Sequence, residues 1–160
     1  MNLFIVRHAI ALPAQPGQDD ESRELSPEGE KRFRRVVRGL AALGVDLDLL
    51  VHSPLRRAVQ TAQLMRPILS GERMESPLLA REPGMKLTRS LFEMGRDSIG
   101  AVGHEPWLSM WLADLLVPGG MRPETVEFKK GGVAWLEGNE PGRIKLRAFL
   151  PPRVLRQVEA

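Results

Sequence analysis

A chain of 160 residues, 42% hydrophobic and 27% charged, is long enough for one domain with a full core and ordinary for a globular protein. It holds no cysteine, which excludes disulfides, a thiolate nucleophile and cysteine-based zinc sites. The net charge of +3 is modest, and tyrosine is absent, so steering of an anionic substrate is expected rather than an aromatic nucleic-acid surface.

Asn2 to Val6 is a short apolar run that reads as a buried strand. Residues 9–25 have no period and carry prolines, a glycine and several acids; a loop this long is functional or disordered. Ser26-Pro27 opens a first helix, whose stripe is Phe33, Val36, Val37 and Leu40 and whose stop is Gly44. Leu49 to Val51 is a second strand. Ser53-Pro54 repeats the helix-start chemistry, with Leu55, Ala58, Val59 and Ala62 as the stripe and Arg66-Pro67 as the end. A short strand is expected near Arg73 to Glu75, a loop over residues 76–86, and a third helix with Leu87, Ser90, Leu91 and Met94 on one side.

Ser98 to Val102 reads as a strand, followed at Pro106 by a helix that buries Leu108, Trp111, Leu112 and Leu115 and stops at Pro118-Gly119-Gly120. Gly132 to Leu136 and Arg143 to Phe149 form two strands joined by the turn-rich segment from Glu137 to Gly142. In the second of these, apolar and basic residues alternate, as on an edge strand. A short helix is expected after Pro151-Pro152. There are no repeats and no composition shift, so residues 1–160 read as a single domain. Strand–helix alternation with a closing hairpin predicts a three-layer α/β/α sandwich, its sheet mostly parallel with an antiparallel edge strand. No leader pattern and no apolar run of roughly 18–20 residues occurs, so a cytoplasmic location and no membrane contact are expected.

Ligands of open α/β sheets bind where strands end and helices begin. Arg7-His8 follows the first strand, Arg56 the second, and His104 the strand from Ser98 to Val102. Two imidazoles and two guanidiniums thus converge on one edge. A guanidinium presents a planar fork of donors that matches phosphate oxygens in pairs. It also disfavours imidazolium, so a neighbouring histidine stays neutral and nucleophilic. His8 is assigned as the nucleophile that takes phosphorus, and His104 as a donor to the transferring group. His52 and Trp107, Trp111 and Trp135 read as structural.

Arg7-His8-Ala9, the segment Ser53-Pro54-Leu55-Arg56-Arg57-Ala58-Val59-Gln60-Thr61-Ala62, and Gly103-His104-Glu105 together resemble the motifs of the histidine phosphatase superfamily, the phosphoglycerate mutase-like fold. The small size and Ser22-Arg23-Glu24-Leu25-Ser26-Pro27-Glu28-Gly29 resemble the SixA-type phosphohistidine phosphatases within it. The resemblance implies catalysis by His8, His104, Arg7 and Arg56, phosphate contacts from Arg7, Arg23 and Arg56, a substrate contact from Glu105, and no cofactor. Arg56 is the first choice for the middle clamp and Arg57 the alternative. Ala9 stands where the family has glycine, a mild change if that backbone needs no positive φ. The insertion that carries an acid in the mutases is absent or short, which leaves Glu82 and Glu105 as candidate proton donors.

An alkoxide leaving group gains about 10²–10⁴-fold from a general acid, and an imidazole needs it less. The expected function is therefore hydrolysis of phosphohistidine on a protein through a phosphohistidine intermediate on His8. A small-molecule phosphomonoesterase acting on a sugar phosphate or nucleotide is the alternative within the same chemistry. A non-catalytic phosphate- or phosphoprotein-binding module and a basic nucleic-acid binder are the alternatives outside it. The expected partners are a phosphohistidine-containing protein or a small phosphorylated substrate, with no nucleic acid and no metal; a monomer is expected.

Overall fold

The computed structural model describes residues 1–119, 122–140 and 143–158. Among them run β1 (Asn2–Arg7), α1 (Pro27–Ala42), β2 (Leu47–His52), α2 (Arg56–Leu64), β3 (Leu69–Glu75), α3 (Gly84–Glu93), β4 (Ser98–Gly103), α4 (Trp107–Leu116), β5 (Val133–Gly138), β6 (Ile144–Leu150) and α5 (Pro152–Leu155). The strands form one sheet of order β3-β2-β4-β1-β5-β6. β3, β2, β4 and β1 pair in parallel, and β5 runs antiparallel to both β1 and β6. The expected mostly parallel sheet with antiparallel pairing at one edge is the one observed; the strand that opposes the rest is β5, one in from the edge.

Alternation along the strands splits the core into two layers. Phe4, Val6, Leu50 and Val102 face the side covered by Phe33, Val36, Ala58 and Ala62 of α1 and α2. Leu3, Ile5, Val51 and Ile99 face the side covered by Leu87 and Leu91 of α3 and Trp111 and Leu112 of α4. The three layers follow from this two-sided burial. The central strands are therefore apolar on both faces, as parallel strands under helices must be.

The Ser26 hydroxyl accepts from the Gly29 N–H at 3.0 Å and caps α1 as expected. Gly44, at φ +76°, ends it. The parallel expectation for Ser53 is corrected. α2 starts at Arg56, Leu55 stands at its cap without a side-chain bond, and the Ser53 hydroxyl serves another partner. β3 begins four residues before its expected start, and the expected loop over 76–86 holds a 3₁₀ turn at Pro77–Ala80 and the start of α3. Residues 9–25 are tethered by a bridge between Ala11 and Leu25 and a 3₁₀ turn at Asp20–Ser22. Gly120 of the expected helix stop and Pro141-Gly142 of the expected turn lie outside the described residues. Among the described residues, no helix is long and apolar enough to cross a membrane.

Candidate active site

The sheet register brings the two motif histidines together. Arg7 of β1 pairs with Gly103 of β4, so the chain leaves both strands at one level. The His8 N–H donates to the Gly103 carbonyl at 3.1 Å, and the rings of His8 and His104 stand 5.0 Å apart between centroids. On the far side of β4, His52 pairs with Val102, and the Ser53 N–H donates to the Val102 carbonyl at 3.0 Å. Ser53 Oγ consequently reaches His104 Nε2 at 2.8 Å. His52 is buried with its Nδ1 2.9 Å from the Ser53 carbonyl, in keeping with a structural role.

The loop before β5 closes the opposite side. The Gly131 N–H is shared between the Arg7 and His8 carbonyls, 3.1 Å from each, at a φ of +81° that suits glycine. The Arg7 guanidinium donates a short hydrogen bond to the Phe128 carbonyl. Thr61 of α2 fastens the start of the long loop: the Ala9 N–H donates to Thr61 Oγ1 at 3.0 Å, and that hydroxyl donates to the Arg57 carbonyl at 2.6 Å. No non-glycine residue has positive φ among the described residues, so Ala9 needs none.

His8 is 5% exposed, and its Nδ1 lies 2.7 Å from the Ala9 carbonyl. A carbonyl only accepts, so Nδ1 carries the proton of the neutral ring and Nε2 carries the lone pair. Burial first, then His104, Arg57 and Arg7, push the His8 pKa down to about 3, against the opposing pull of the Ala9 bond. Burial, Arg57, Arg7 and Arg23 likewise take His104 down to about 4, with Asp20 opposing. Both imidazoles are neutral near pH 7. Ser53 holds one nitrogen of His104; the other, Nδ1, is buried without a partner among the described residues.

Three guanidiniums surround this pair. Arg57 is 6% exposed and donates to the Asp20 carbonyl at 2.7 Å and to Asp20 Oδ2 at 2.9 Å. Arg23 Nη2 lies 2.9 Å from Asp20 Oδ1. Partial burial pushes the Asp20 carboxyl up, but Arg57 and Arg23 outweigh it and hold the group below the usual carboxylate range. Burial lowers Arg7, with Glu105 and Glu127 acting the other way. Nε of Arg7, Arg23 and Arg57 has no partner among the described residues. An unmet buried donor costs about 1–3 kcal/mol, so these nitrogens and His104 Nδ1 form a set of donors suited to an oxyanion. Lys130 is a fourth cation: burial, then Arg7, Arg23 and Arg57, lower its pKa.

The structure therefore gathers His8, His104, Arg7 and Arg23 as expected from sequence. It does not gather Arg56, which is about half exposed and ion-paired to Glu24 at 3.1 Å. Arg57 stands in the cluster instead, because successive helical residues point about 100° apart and only one can face the sheet. Glu105 borders the cluster, but its carboxylate accepts from the Ser109 N–H, the Ser109 hydroxyl and the Phe128 N–H, at 3.2, 2.6 and 2.9 Å. These bonds brace the first turn of α4. Glu82 is exposed and forms no hydrogen bond or ion pair with the cluster among the described residues. Sequence reasoning passed over Asp20, hidden in an acid-rich loop, Ser53, read as a cap, and Lys130, one of two lysines before Gly131-Gly132. Among the described residues no three His, Asp or Glu groups stand where they could hold a metal ion.

A neutral imidazole with its lone pair free, beside a second imidazole and three guanidiniums, can attack phosphorus and stabilise the charge that develops on the equatorial oxygens. Residues 3–80 match the model of the histidine phosphatase superfamily, branch 1. An uncharacterised protein of Picosynechococcus sp. is 29% identical over 142 residues, 85% of this chain and 84% of that one. Among solved structures, the protein histidine phosphatase SixA complexed with tungstate superposes with a TM-score of 0.84 at 24% identity, over 97% of this chain and 99% of that one. A phosphoserine phosphatase mutant of Entamoeba histolytica in complex with phosphoserine superposes at 0.75 and 16% identity, over 96% and 98%. The chain has the phosphoglycerate mutase-like fold of the SixA structure, and its residues 3–80 carry the match to the histidine phosphatase superfamily, branch 1.

Proposed function

We propose that this superfamily phosphatase works through a covalent phosphohistidine on His8 and that its preferred substrate is phosphohistidine carried on a protein. One observation carries the reading. The Ala9 carbonyl fixes the proton on His8 Nδ1 and leaves Nε2 basic and unprotonated within a cationic cluster. Arg7, Arg23 and Arg57 hold the phosphoryl oxygens, and Asp20 yields its two guanidinium partners to them. His8 Nε2 forms a bond to phosphorus as the bond to the leaving group breaks. Water then attacks phosphorus, the bond from phosphorus to His8 Nε2 breaks and its electron pair returns to the ring, which leaves as neutral imidazole with its proton still on Nδ1, and inorganic phosphate departs as the water's surplus proton passes to a phosphate oxygen or to solvent. His104, held through Nε2 by Ser53, directs Nδ1 at the transferring group.

The choice of substrate rests on acids. Glu105 is committed to three hydrogen bonds, Glu82 is exposed and forms no hydrogen bond or ion pair with the cluster among the described residues, and Asp20 is kept ionised by two arginines. None is poised to protonate an alkoxide, whereas the ring of a phosphohistidine protonated on its second nitrogen leaves as neutral imidazole and needs no further acid. The SixA relative bound to tungstate supports oxyanion capture by the same fold. A small-molecule phosphomonoesterase is the second reading, favoured by the likeness to the phosphoserine phosphatase. A phosphatase assay comparing a phosphohistidine protein with phosphoserine and sugar phosphates tests the choice. Faster turnover of phosphohistidine, absent in His8→Ala, is expected; equal or faster turnover of an alkyl phosphate that depends on Glu82 or Glu105 overturns it. We further propose that residues 1–160 act as one domain in the cytoplasm, and that activity persists in EDTA.

A further inference from the structure

Beside the cationic cluster lies a cavity of about 580 Å³ with the opposite sign of charge. Arg7 is among its lining residues, so the two regions share that guanidinium. Pro106 and Met110, at the start of α4, and Val126, before β5, give it an apolar lining. Its remaining charges are the carboxylates of Glu105, Glu124 and Glu127. Glu127 pairs with Lys129 at 2.6 Å, and Glu124 has no partner among the described residues. The volume is that of a pocket for a ring and its attached chain, not for a bare phosphate. Its charge is what a phosphate would avoid.

We propose that this cavity is the subsite for the leaving-group side of the substrate and that it selects a neutral or cationic leaving group set among basic side chains, against carboxylated or multiply phosphorylated ones. The inference rests on the phosphatase reading above and narrows it. The site is bipolar: arginines and Lys130 take the phosphoryl anion, and the glutamate rim takes what carries it. Charge complementarity of this kind sets partner choice and encounter rate. It also suits P–N chemistry. A phosphohistidine ring protonated on its second nitrogen is cationic, and carboxylates favour that form. As His8 Nε2 bonds to phosphorus, the substrate P–N bond breaks, its electron pair returns to the ring, and the ring departs as neutral imidazole. The proton it needed is already present, so no acid from this chain is consumed.

The test compares two phosphohistidine peptides of equal length, one flanked by lysines and one by glutamates. At low salt the wild-type protein is expected to prefer the basic peptide by roughly tenfold in kcat/KM, with the ratio shrinking as salt is added. In the Glu124→Gln/Glu127→Gln double variant, whose sites are exposed, the ratio should approach one. A wild-type ratio of one or below, or a ratio that the double variant leaves intact, overturns the subsite. If neither peptide is turned over but phosphomonoesters are, the phosphohistidine reading has failed by itself. The pocket is then tested by phosphoethanolamine against phosphoglycolate: preference for the former, lost in the double variant, sustains it, and preference for the latter overturns it.

Discussion

The candidate site has a strand-borne half and a loop-borne half, and they are held by different means. His8, His104 and Ser53 follow β1, β4 and β2 directly; hydrogen bonds to β4 at 3.1 and 3.0 Å set the places of His8 and Ser53, and Ser53 in turn holds His104. Arg23 and Asp20 come from the long loop and are tied to the rest through ion pairs at 2.9 Å. A ladder cannot slip without turning every side chain to the other face. An ion pair at a half-open rim is a small free energy that a stronger anion can displace. In the proposed mechanism the rigid half aligns the attacking nitrogen, and the loop-borne half exchanges its own carboxylate for the substrate's phosphoryl group.

Loss of the attacking imidazole should be the most damaging change. His8→Ala is expected to lower turnover on the order of 10⁴-fold or more while tungstate still binds, measured by steady-state assay and calorimetry. Appreciable turnover in that variant contradicts the nucleophile. Next, Arg57→Ala should cost on the order of 10²–10³ in rate, as for loss of one transition-state donor, and Arg56→Ala only about twofold. The reverse ranking would return the clamp to Arg56. Ser53→Ala, which frees His104 Nε2, should lower kcat about tenfold with little change in KM.

The histidines also make the fold acid-sensitive. Ring-proton titrations by NMR should show His8 and His104 neutral down to pH 5, since their folded values are about 3 and 4 against an ordinary 6.5. The unfolded chain takes up these protons as pH falls below 6.5 and the folded protein does not. Stability should therefore fall on acidification across that window, by about 1.4 kcal/mol per pH unit for each group. Thermal melts that are flat between pH 6.5 and 4 would count against buried neutral rings. The smallest effect belongs to the loop: Asp20→Asn should tighten tungstate binding several-fold by removing the competing carboxylate. Weaker binding would mean that Asp20 mainly orients Arg23 and Arg57.

The same division explains what could be read from the sequence. Strand-borne residues carry a signal, because an apolar run followed at once by Arg7-His8 or by Gly103-His104 places each histidine at a sheet edge. The helix-borne arginine was misplaced by one residue. Ser53-Pro54 looks like a helix start, yet the Ser53 hydroxyl is engaged with His104 and α2 begins only at Arg56. Loop-borne groups carry no period at all. Arg23 was reached through resemblance alone, and Asp20 and Lys130 emerge only when the chain is folded back on itself.

The proposed chemistry turns on which nitrogen receives phosphorus. Rapid mixing with labelled substrate, alkaline quench, and mass spectrometry with ³¹P NMR of the trapped protein would locate it. A phosphoryl group on Nε2 of His8 is the result predicted; a group on Nδ1 of His8, on His104, or on no residue while phosphate is still released would contradict it.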